Sequence, residues 1–160
     1  MKPAPNSVFI RRMTIADLPQ VMAIAASLPH APHWPHSAYI AALNPEAPPH
    51  RIALVIVGSR KQASGVQAFA IASLLAPQAE LESIAVAIGR QRQGLAGQLF
   101  RALTAELRSA GAKELVLEVR ASNQPATAFY RSLGFAETAR RTRYYNDPIE
   151  DAVLMNLQIK

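Results

Sequence analysis

The stretch Ile84-Ala85-Val86-Ala87-Ile88-Gly89-Arg90-Gln91-Arg92-Gln93-Gly94-Leu95-Ala96-Gly97 decides the fold of this chain. Residues 80–87 predict a strand, and a short polar loop follows it. Leucines then recur every four residues at positions 95, 99, 103 and 107, which predicts a helix over 94–110 that Gly111 ends. A strand that turns tightly into a helix points several backbone N–H groups at one place, which suits a phosphate or a pyrophosphate.

The loop carries the pattern Gln91-x-x-Gly94-x-Ala96. Gly94 allows a ligand to approach the backbone closely, and Ala96 is too small to block it. Arg90 and Arg92 add positive charge at the rim. The pattern is not a P-loop, because no Lys-Ser or Lys-Thr follows the glycine, and it lacks the three glycines of a dinucleotide-binding fingerprint. Taken alone, the motif is explained equally well by an ordinary helix start with small residues.

The rest of the chain alternates between short strands and helices. Apolar runs predict strands at 8–12, 52–57, 66–75, 115–119, 135–145 and 151–158. A capping pattern at 14–17 opens one helix, a second short helix passes through residues 39–43, and Ser122 or Asn123 caps a helix that ends at Gly134. The short polar spacer at 58–65 predicts an antiparallel hairpin. These elements indicate an α/β (α+β) fold, with a mixed, mostly antiparallel sheet of about seven strands and helices on both faces.

Length and composition limit the class of protein. One hundred and sixty residues predict a single domain over 1–160. Half the residues are apolar and 18% are charged, which is typical of a globular protein. The net charge of +6 favours an anionic partner, but it is spread evenly along the chain, which disfavours a dedicated nucleic-acid surface. Because cysteine is absent, disulfides, thiolate catalysis and cysteine-ligated metal sites are excluded.

Two features predict a cytoplasmic protein without a membrane partner. Residues 1–12 lack the apolar core and cleavage site of a signal peptide. The longest nearly uninterrupted apolar stretch, residues 66–76, is far shorter than the ~18 residues of a membrane-spanning helix.

The order of elements, the Gln91-x-x-Gly94-x-Ala96 turn and the helix that carries Asn123 and Tyr130 together resemble the GNAT superfamily of acyl-CoA-dependent N-acetyltransferases. The resemblance covers most of the chain and is strongest over 80–157. It implies that acetyl-CoA is the co-substrate, with its pyrophosphate on the loop amides and its pantetheine arm along the end of the preceding strand. The implied acetyl-CoA contacts are Ile84, Ala85, Val86, Arg92, Gln93, Gly94, Leu95, Ala96, Gly97 and Asn123.

Four further blocks resemble the RimI branch of that superfamily. They are Leu117-Glu118-Val119-Arg120-Ala121-Ser122-Asn123, Ala128-Phe129-Tyr130-Arg131-Ser132-Leu133-Gly134-Phe135, Arg140-Arg141-Thr142-Arg143-Tyr144-Tyr145 and Glu150-Asp151-Ala152. Enzymes of this branch acetylate the N-terminal alanine of a small-subunit ribosomal protein. The resemblance therefore implies a protein N-terminus, possibly ribosomal, as the partner, with Glu118 as general base and Tyr130 as general acid.

These two residues suit the implied chemistry. An α-amine has a pKa of ~8, so it must lose a proton before it attacks a thioester, and a tyrosine hydroxyl can protonate the departing thiolate. Without cysteine, the amine attacks acetyl-CoA directly. Taken singly, however, a surface ion pair is favoured for Glu118 and a core position for Tyr130, and only the two together, at the family's spacing, favour catalysis. Glu82, on the preceding strand, is a rival base.

The N-terminal half departs from the branch. Pro32-His33-Trp34-Pro35-His36-Ser37 stands where the branch commonly has Pro-Trp-Ser, and Ala87 stands where an acidic residue is common. Trp34 is still a candidate for the substrate groove, and Tyr144 and Tyr145 are candidates to flank an entering N-terminus. His30, His33 and His36 repeat every three residues, but without neighbouring carboxylates a solvated loop is favoured over zinc, and no metal is predicted.

Three other functions stay open. The same fold serves enzymes that acetylate small-molecule amines, and it also serves CoA-binding modules without turnover. Nucleic-acid binding, suggested by the net charge alone, has least support because no basic stripe with interleaved aromatic residues is present.

Overall fold

The computed structural model describes residues 8–58 and 65–160. Residues 1–7, which belong to the segment searched for a signal peptide, and residues 59–64, which belong to the predicted hairpin spacer, lie outside the described residues. The strands are β1 (Val8–Arg12), β2 (His50–Gly58), β3 (Val66–Leu75), β4 (Gln78–Val86), β5 (Glu114–Arg120), β6 (Ala136–Tyr145) and β7 (Glu150–Gln158). The helices are α1 (Leu18–Ser27), α2 (His36–Leu43), α3 (Leu95–Ser109) and α4 (Gln124–Ser132).

The described strands form a seven-stranded sheet in the order β1-β2-β3-β4-β5-β7-β6. Neighbouring strands are antiparallel except for β4 and β5, which run parallel. The predicted mixed, mostly antiparallel sheet is therefore confirmed. Among the described helices, none is both long enough and apolar enough to cross a bilayer.

Helices cover both faces of the sheet, as predicted. On one face, the leucine stripe of α3 packs with the inward residues of β5, so that Leu103, Leu107 and Leu115 are fully buried. On the other face, Val21 of α1 and Tyr39 of α2 pack against the middle strands. Burying side chains of this size stabilises the fold by roughly 1.5–3 kcal/mol each, and the two layers fix the sheet from both sides.

The boundaries of β1 and β3 are as predicted, and those of the other strands differ from the predictions by one or two residues. β4 ends at Val86 rather than at Ala87, because the chain turns there into a short 3₁₀ segment, Ile88–Arg90. β5 continues to Arg120, one residue past its last apolar side chain, because β7 pairs with it along its whole length. Apolar content alone does not reveal where strand pairing stops.

The parallel pair β4–β5 separates soon after it starts. Only three residue pairs link the strands, Gln78–Glu114, Ala79–Leu115 and Glu80–Val116. β4 then follows β3 as far as Val86, whereas β5 follows β7 as far as Arg120. A shift of register against β3 leaves Glu82 as an extra residue in β4, and such a bulge increases the local twist. The result is a V-shaped gap in the middle of the sheet.

Candidate active site

The V-shaped gap opens into a cleft of about 790 Å³. This volume lies within the ~300–1,000 Å³ typical of small-ligand sites. The diverging parts of β4 and β5, the first turns of α4, and the loops after α1 and after β6 line the cleft. Six residues proposed from the sequence for catalysis or binding are in the lining: Glu82, Ile84, Glu118, Asn123, Tyr130 and Tyr145.

The loop at 92–97 lies beside the cleft rather than in its lining, at the N-terminus of α3. Gly94 is the N-cap residue and has a positive φ of 78°, and Arg92 also has a positive φ, of 61°. Left-handed residues of this kind are typical of loops in which successive N–H groups point to one side and bind anions. The side chain of Gln91 donates a hydrogen bond of 3.3 Å to the Val86 carbonyl, which fixes the loop to the end of β4.

Two of the predicted contact residues have side chains that are buried in the core. Ala85 is buried in the core under α1 and α2, and Leu95 is buried in the core under α3. Only the backbone groups of these two residues are available to a ligand. The predicted contacts thus fall into two adjoining regions, the β4 edge with Asn123 and the N-terminal turn of α3.

Glu118 lies on the half-buried face of β5, and its side chain is 23% exposed. Its Oε1 lies 3.5 Å from the guanidinium of Arg141 on β6. Hydrogen bonding to the Glu118 carboxylate, together with its negative charge, raises the pKa of Tyr144. The carboxylate is therefore ion-paired at one oxygen and still borders the cleft.

Glu82 is held more tightly than Glu118. The Nε atom of Arg51 donates to both of its carboxylate oxygens, at 3.0 and 3.2 Å, and the Glu82 side chain is 14% exposed. Glu80 lies nearby, and partial burial, reinforced by the negative charges of Glu82 and Glu118, raises its pKa. Three carboxylates thus gather where β4 and β5 begin to separate, each with different neighbours.

Tyr130 lies on α4 and reaches the cleft from the other side. It packs edge-on against Phe135, with ring centroids 5.6 Å apart. Burial, with a smaller effect of Tyr145, raises the pKa of Tyr130 to about 12, so its hydroxyl remains protonated at neutral pH. The Asn123 side-chain oxygen accepts a hydrogen bond of 3.2 Å from the Ala126 N–H, which confirms Asn123 as the cap of α4.

Three of the sequence blocks, 117–123, 140–145 and 150–152, meet in space beside the cleft. Arg120 on β5 lies 3.5 Å from Glu150, and Glu150 also accepts a hydrogen bond from the Ser122 N–H. The hydrogen bonds from Ser122, with a smaller contribution from Arg120, lower the pKa of Glu150. Arg143, in a third block, donates its backbone N–H to Asp151 at 2.9 Å. These contacts bind the loop between β6 and β7 to the end of β5.

Three residues at the cleft were not predicted from the sequence: Arg51, Asp147 and, in its role, Arg120. Asp147 lines the cleft. Arg51 pairs with Glu82, which also lines the cleft, and Arg120 pairs with Glu150 beside it. The signal for Arg120 was its place two residues after Glu118, on the same face of the strand. Nothing local in the sequence pointed to Arg51, because its partner lies 31 residues away.

Trp34 stays a candidate for the substrate groove. Its ring packs against Tyr39 of α2 with centroids 5.3 Å apart, and it is not part of the cleft lining. The loop after α1 instead presents His30 and His33 to the cleft, and Tyr145 faces it from β6. In residues 8–58 and 65–160, no group of three or more His, Asp or Glu side chains is placed to hold a metal ion.

Comparisons with known proteins agree with this geometry. Residues 20–135 match the model of the acetyltransferase (GNAT) family. Ribosomal protein bS18-alanine N-acetyltransferase of Escherichia coli is 48% identical over 94 residues, which are 58% of this chain and 64% of that relative. A Bacillus subtilis protein, provisionally given the same name, is 31% identical over 91% of this chain and 92% of its own.

A solved structure gives the same result. The crystal structure of the ribosomal-protein-S18-alanine N-acetyltransferase from Escherichia coli has a TM-score of 0.81 and 34% sequence identity to this chain. The superposition covers 96% of this chain and 95% of that one.

The conformation of the loop at 92–97 gives the first prediction. Because Gly94 has a positive φ and open space around its Cβ position, Gly94→Ala should strain only the backbone, by about 1–2 kcal/mol. We expect that strain to shift the N–H groups of the loop and to weaken coenzyme A binding about tenfold in titration calorimetry. Gly89→Ala is the matched control, because Gly89 also has open space but no positive φ. Equal affinities for the two variants would contradict the assigned anion site.

Proposed function

Because this chain belongs to the GNAT acetyltransferase family, we propose that it transfers the acetyl group of acetyl-CoA to the N-terminal α-amine of a protein. The leading acceptor is the N-terminal alanine of a ribosomal protein, the substrate in the names of the Escherichia coli relative and of its crystal structure. The observation that carries the proposal is the cleft between β4 and β5, which Glu118 and Tyr130 border from two different elements.

The chain has groups that fit each part of acetyl-CoA. The N–H groups of 92–97, the positive end of the α3 dipole and the side chains of Arg90 and Arg92 suit its pyrophosphate. Beyond Glu80, the edge of β4 that faces β5 has no strand partner among the described residues, so its backbone groups are free to pair with the pantetheine amides. When bound, acetyl-CoA supplies the acetyl group as a reactive thioester.

We assign the general base to Glu118 rather than to Glu82. Both carboxylate oxygens of Glu82 are engaged by Arg51, whereas the contacts of Glu118 are a longer ion pair with Arg141 and a hydrogen bond with the exposed Tyr144. A carboxylate that borders the cleft and has only such loose partners can accept a proton from the acceptor ammonium, directly or through one water. The ammonium has a pKa of ~8, so its loss of a proton to water at pH 7 costs only about 1.4 kcal/mol, and the carboxylate relays that proton.

Tyr130 assists the leaving group. Its pKa of about 12 keeps the hydroxyl protonated throughout the physiological range. A thiol has a pKa of ~8.5, so a thiolate is a weaker base than the tyrosinate, and full proton transfer from Tyr130 is uphill. Tyr130 therefore acts first as a hydrogen-bond donor that stabilises the departing sulfur.

The wider setting follows from the same proposal. We place the reaction in the cytoplasm, where ribosomal proteins are made, and we treat residues 1–160 as one domain. The absence of cysteine leaves direct attack by the amine as the route of transfer, because no cysteinyl thioester can form.

The acceptor class is tested with a panel of amines. We expect acetyl-CoA turnover with peptides that begin with Ala or Ser to exceed turnover with polyamines and free amino acids by at least tenfold in kcat/KM. Thiol release and mass spectrometry of the peptide together measure the reaction. A preference for small amines would support the alternative small-molecule enzyme, and binding of acetyl-CoA without any turnover would support a CoA-binding module.

The base is tested with two matched variants. Glu118→Gln should lower kcat by about 10²–10⁴-fold, because it removes the proton acceptor, and it should leave the Kd for acetyl-CoA unchanged. Glu82→Gln, which changes a carboxylate of the same cleft, should lower kcat by less than tenfold. The assignment fails if the two effects are reversed, or if Glu118→Gln retains nearly normal kcat.

The raised pKa of Tyr130 predicts the alkaline limb of the pH profile. The neutral hydroxyl persists below pH ~12, so ionisation of Tyr130 should cause no fall in kcat/KM up to pH 10.5. Tyr130→Phe should lower kcat by about 10²-fold without changing the shape of the profile. A fall in wild-type activity with a midpoint near pH 10, absent from Tyr130→Phe, would contradict this account.

A further inference from the structure

The guanidinium of Arg120 contacts the loop between β6 and β7 at several points. Its Nη1 donates to the Pro148 carbonyl at 3.2 Å, and its Nη2 donates to the Asn146 carbonyl at 3.3 Å. Nη1 also lies 3.5 Å from the carboxylate of Glu150, and the guanidinium carbon lies 4.3 Å from the centre of the Tyr145 ring. A planar group with several fixed donors is suited to such a set of contacts, and a lysine ammonium is not.

The loop that Arg120 holds is one wall of the cleft. Tyr145, Asn146 and Asp147 all belong to its lining. Asp147 has a positive φ of 52°, and it lies between the two residues whose carbonyls Arg120 binds. A non-glycine residue in this region costs free energy and persists only where its surroundings hold it. The side chain of Arg120 is 20% exposed, so most of it is covered by these contacts.

Arg120 also links this wall to the proposed base. It lies two residues after Glu118 on the same face of β5, and β5 is paired with β7 over its whole length. Any movement of the loop relative to Arg120 therefore changes the distance between the wall and the Glu118 carboxylate. The wall lies on the β5 side of the cleft, whereas the loop at 92–97 lies beyond the end of β4.

We infer that Arg120 is a positioning residue that fixes the loop at 146–149 as the acceptor-side wall of the cleft and so sets the affinity for the acceptor amine. This inference rests on the proposed function. It assigns to the loop a role in binding the acceptor and none in binding acetyl-CoA. Arg120 itself does not touch the reacting atoms.

Steady-state kinetics with an alanine-starting peptide test the inference in Arg120→Gln and Arg120→Lys. Loss of one hydrogen bond to a charged group corresponds to about a tenfold change. We expect Arg120→Gln to raise the KM for the peptide at least tenfold and Arg120→Lys to raise it less. The KM for acetyl-CoA and kcat should stay within twofold of wild type. Arg131→Gln is the control, because Arg131 pairs with Glu137 at 3.7 Å outside the cleft lining.

Hydrogen exchange of the free protein gives a second readout that needs no activity. The peptide that covers 145–151 should exchange several-fold faster in Arg120→Gln than in wild type, and at the wild-type rate in Arg131→Gln. An unchanged peptide KM, or unchanged exchange in this segment, would overturn the inference. If the wild type acetylates no amine, the proposed function fails, while the exchange experiment still decides whether Arg120 holds the loop.

Discussion

The separation of β4 from β5 is the constraint on which the site depends. After three residue pairs the two strands follow different partners, β3 and β7, and each is held by antiparallel pairing to its end. Those ladders use only one edge of each strand, so the edges that face the gap remain unpaired inside a well-packed sheet. The bulge at Glu82 and the two apolar layers around the sheet maintain this geometry before any ligand binds.

The gap also gives similar side chains different roles. Glu82 is held by Arg51 within the sheet, whereas Glu118 faces the cleft with a looser partner, Arg141. The arginines likewise have different local surroundings. Arg120 is used to hold a loop, and Arg92 stands beside the N-terminus of α3 with a backbone conformation that suits anion binding. The net charge of +6 therefore comes from basic residues in different places, and it does not mark a single binding surface.

Much of the fold was predictable because its signals are local. The leucine stripe of α3, the glycine before it and the cap at Asn123 each act within a few residues, and the structure places them as expected. The bulge at Glu82 was not predictable, since it depends on the register against β3. The packing of the Trp34 ring against Tyr39 was not predicted either. The contacts of Arg120 reach residues 26 to 30 positions away, beyond any local pattern.

A crystal structure of the chain with bound coenzyme A tests the central claim most directly, since that claim is that the open edge of β4 holds the donor. The account predicts the pyrophosphate on the N–H groups of 92–97, the pantetheine arm along the β4 edge inside the gap, and the sulfur within hydrogen-bonding distance of the Tyr130 hydroxyl. Coenzyme A bound elsewhere on the protein, or a gap closed by continued pairing of β4 with β5, would contradict it.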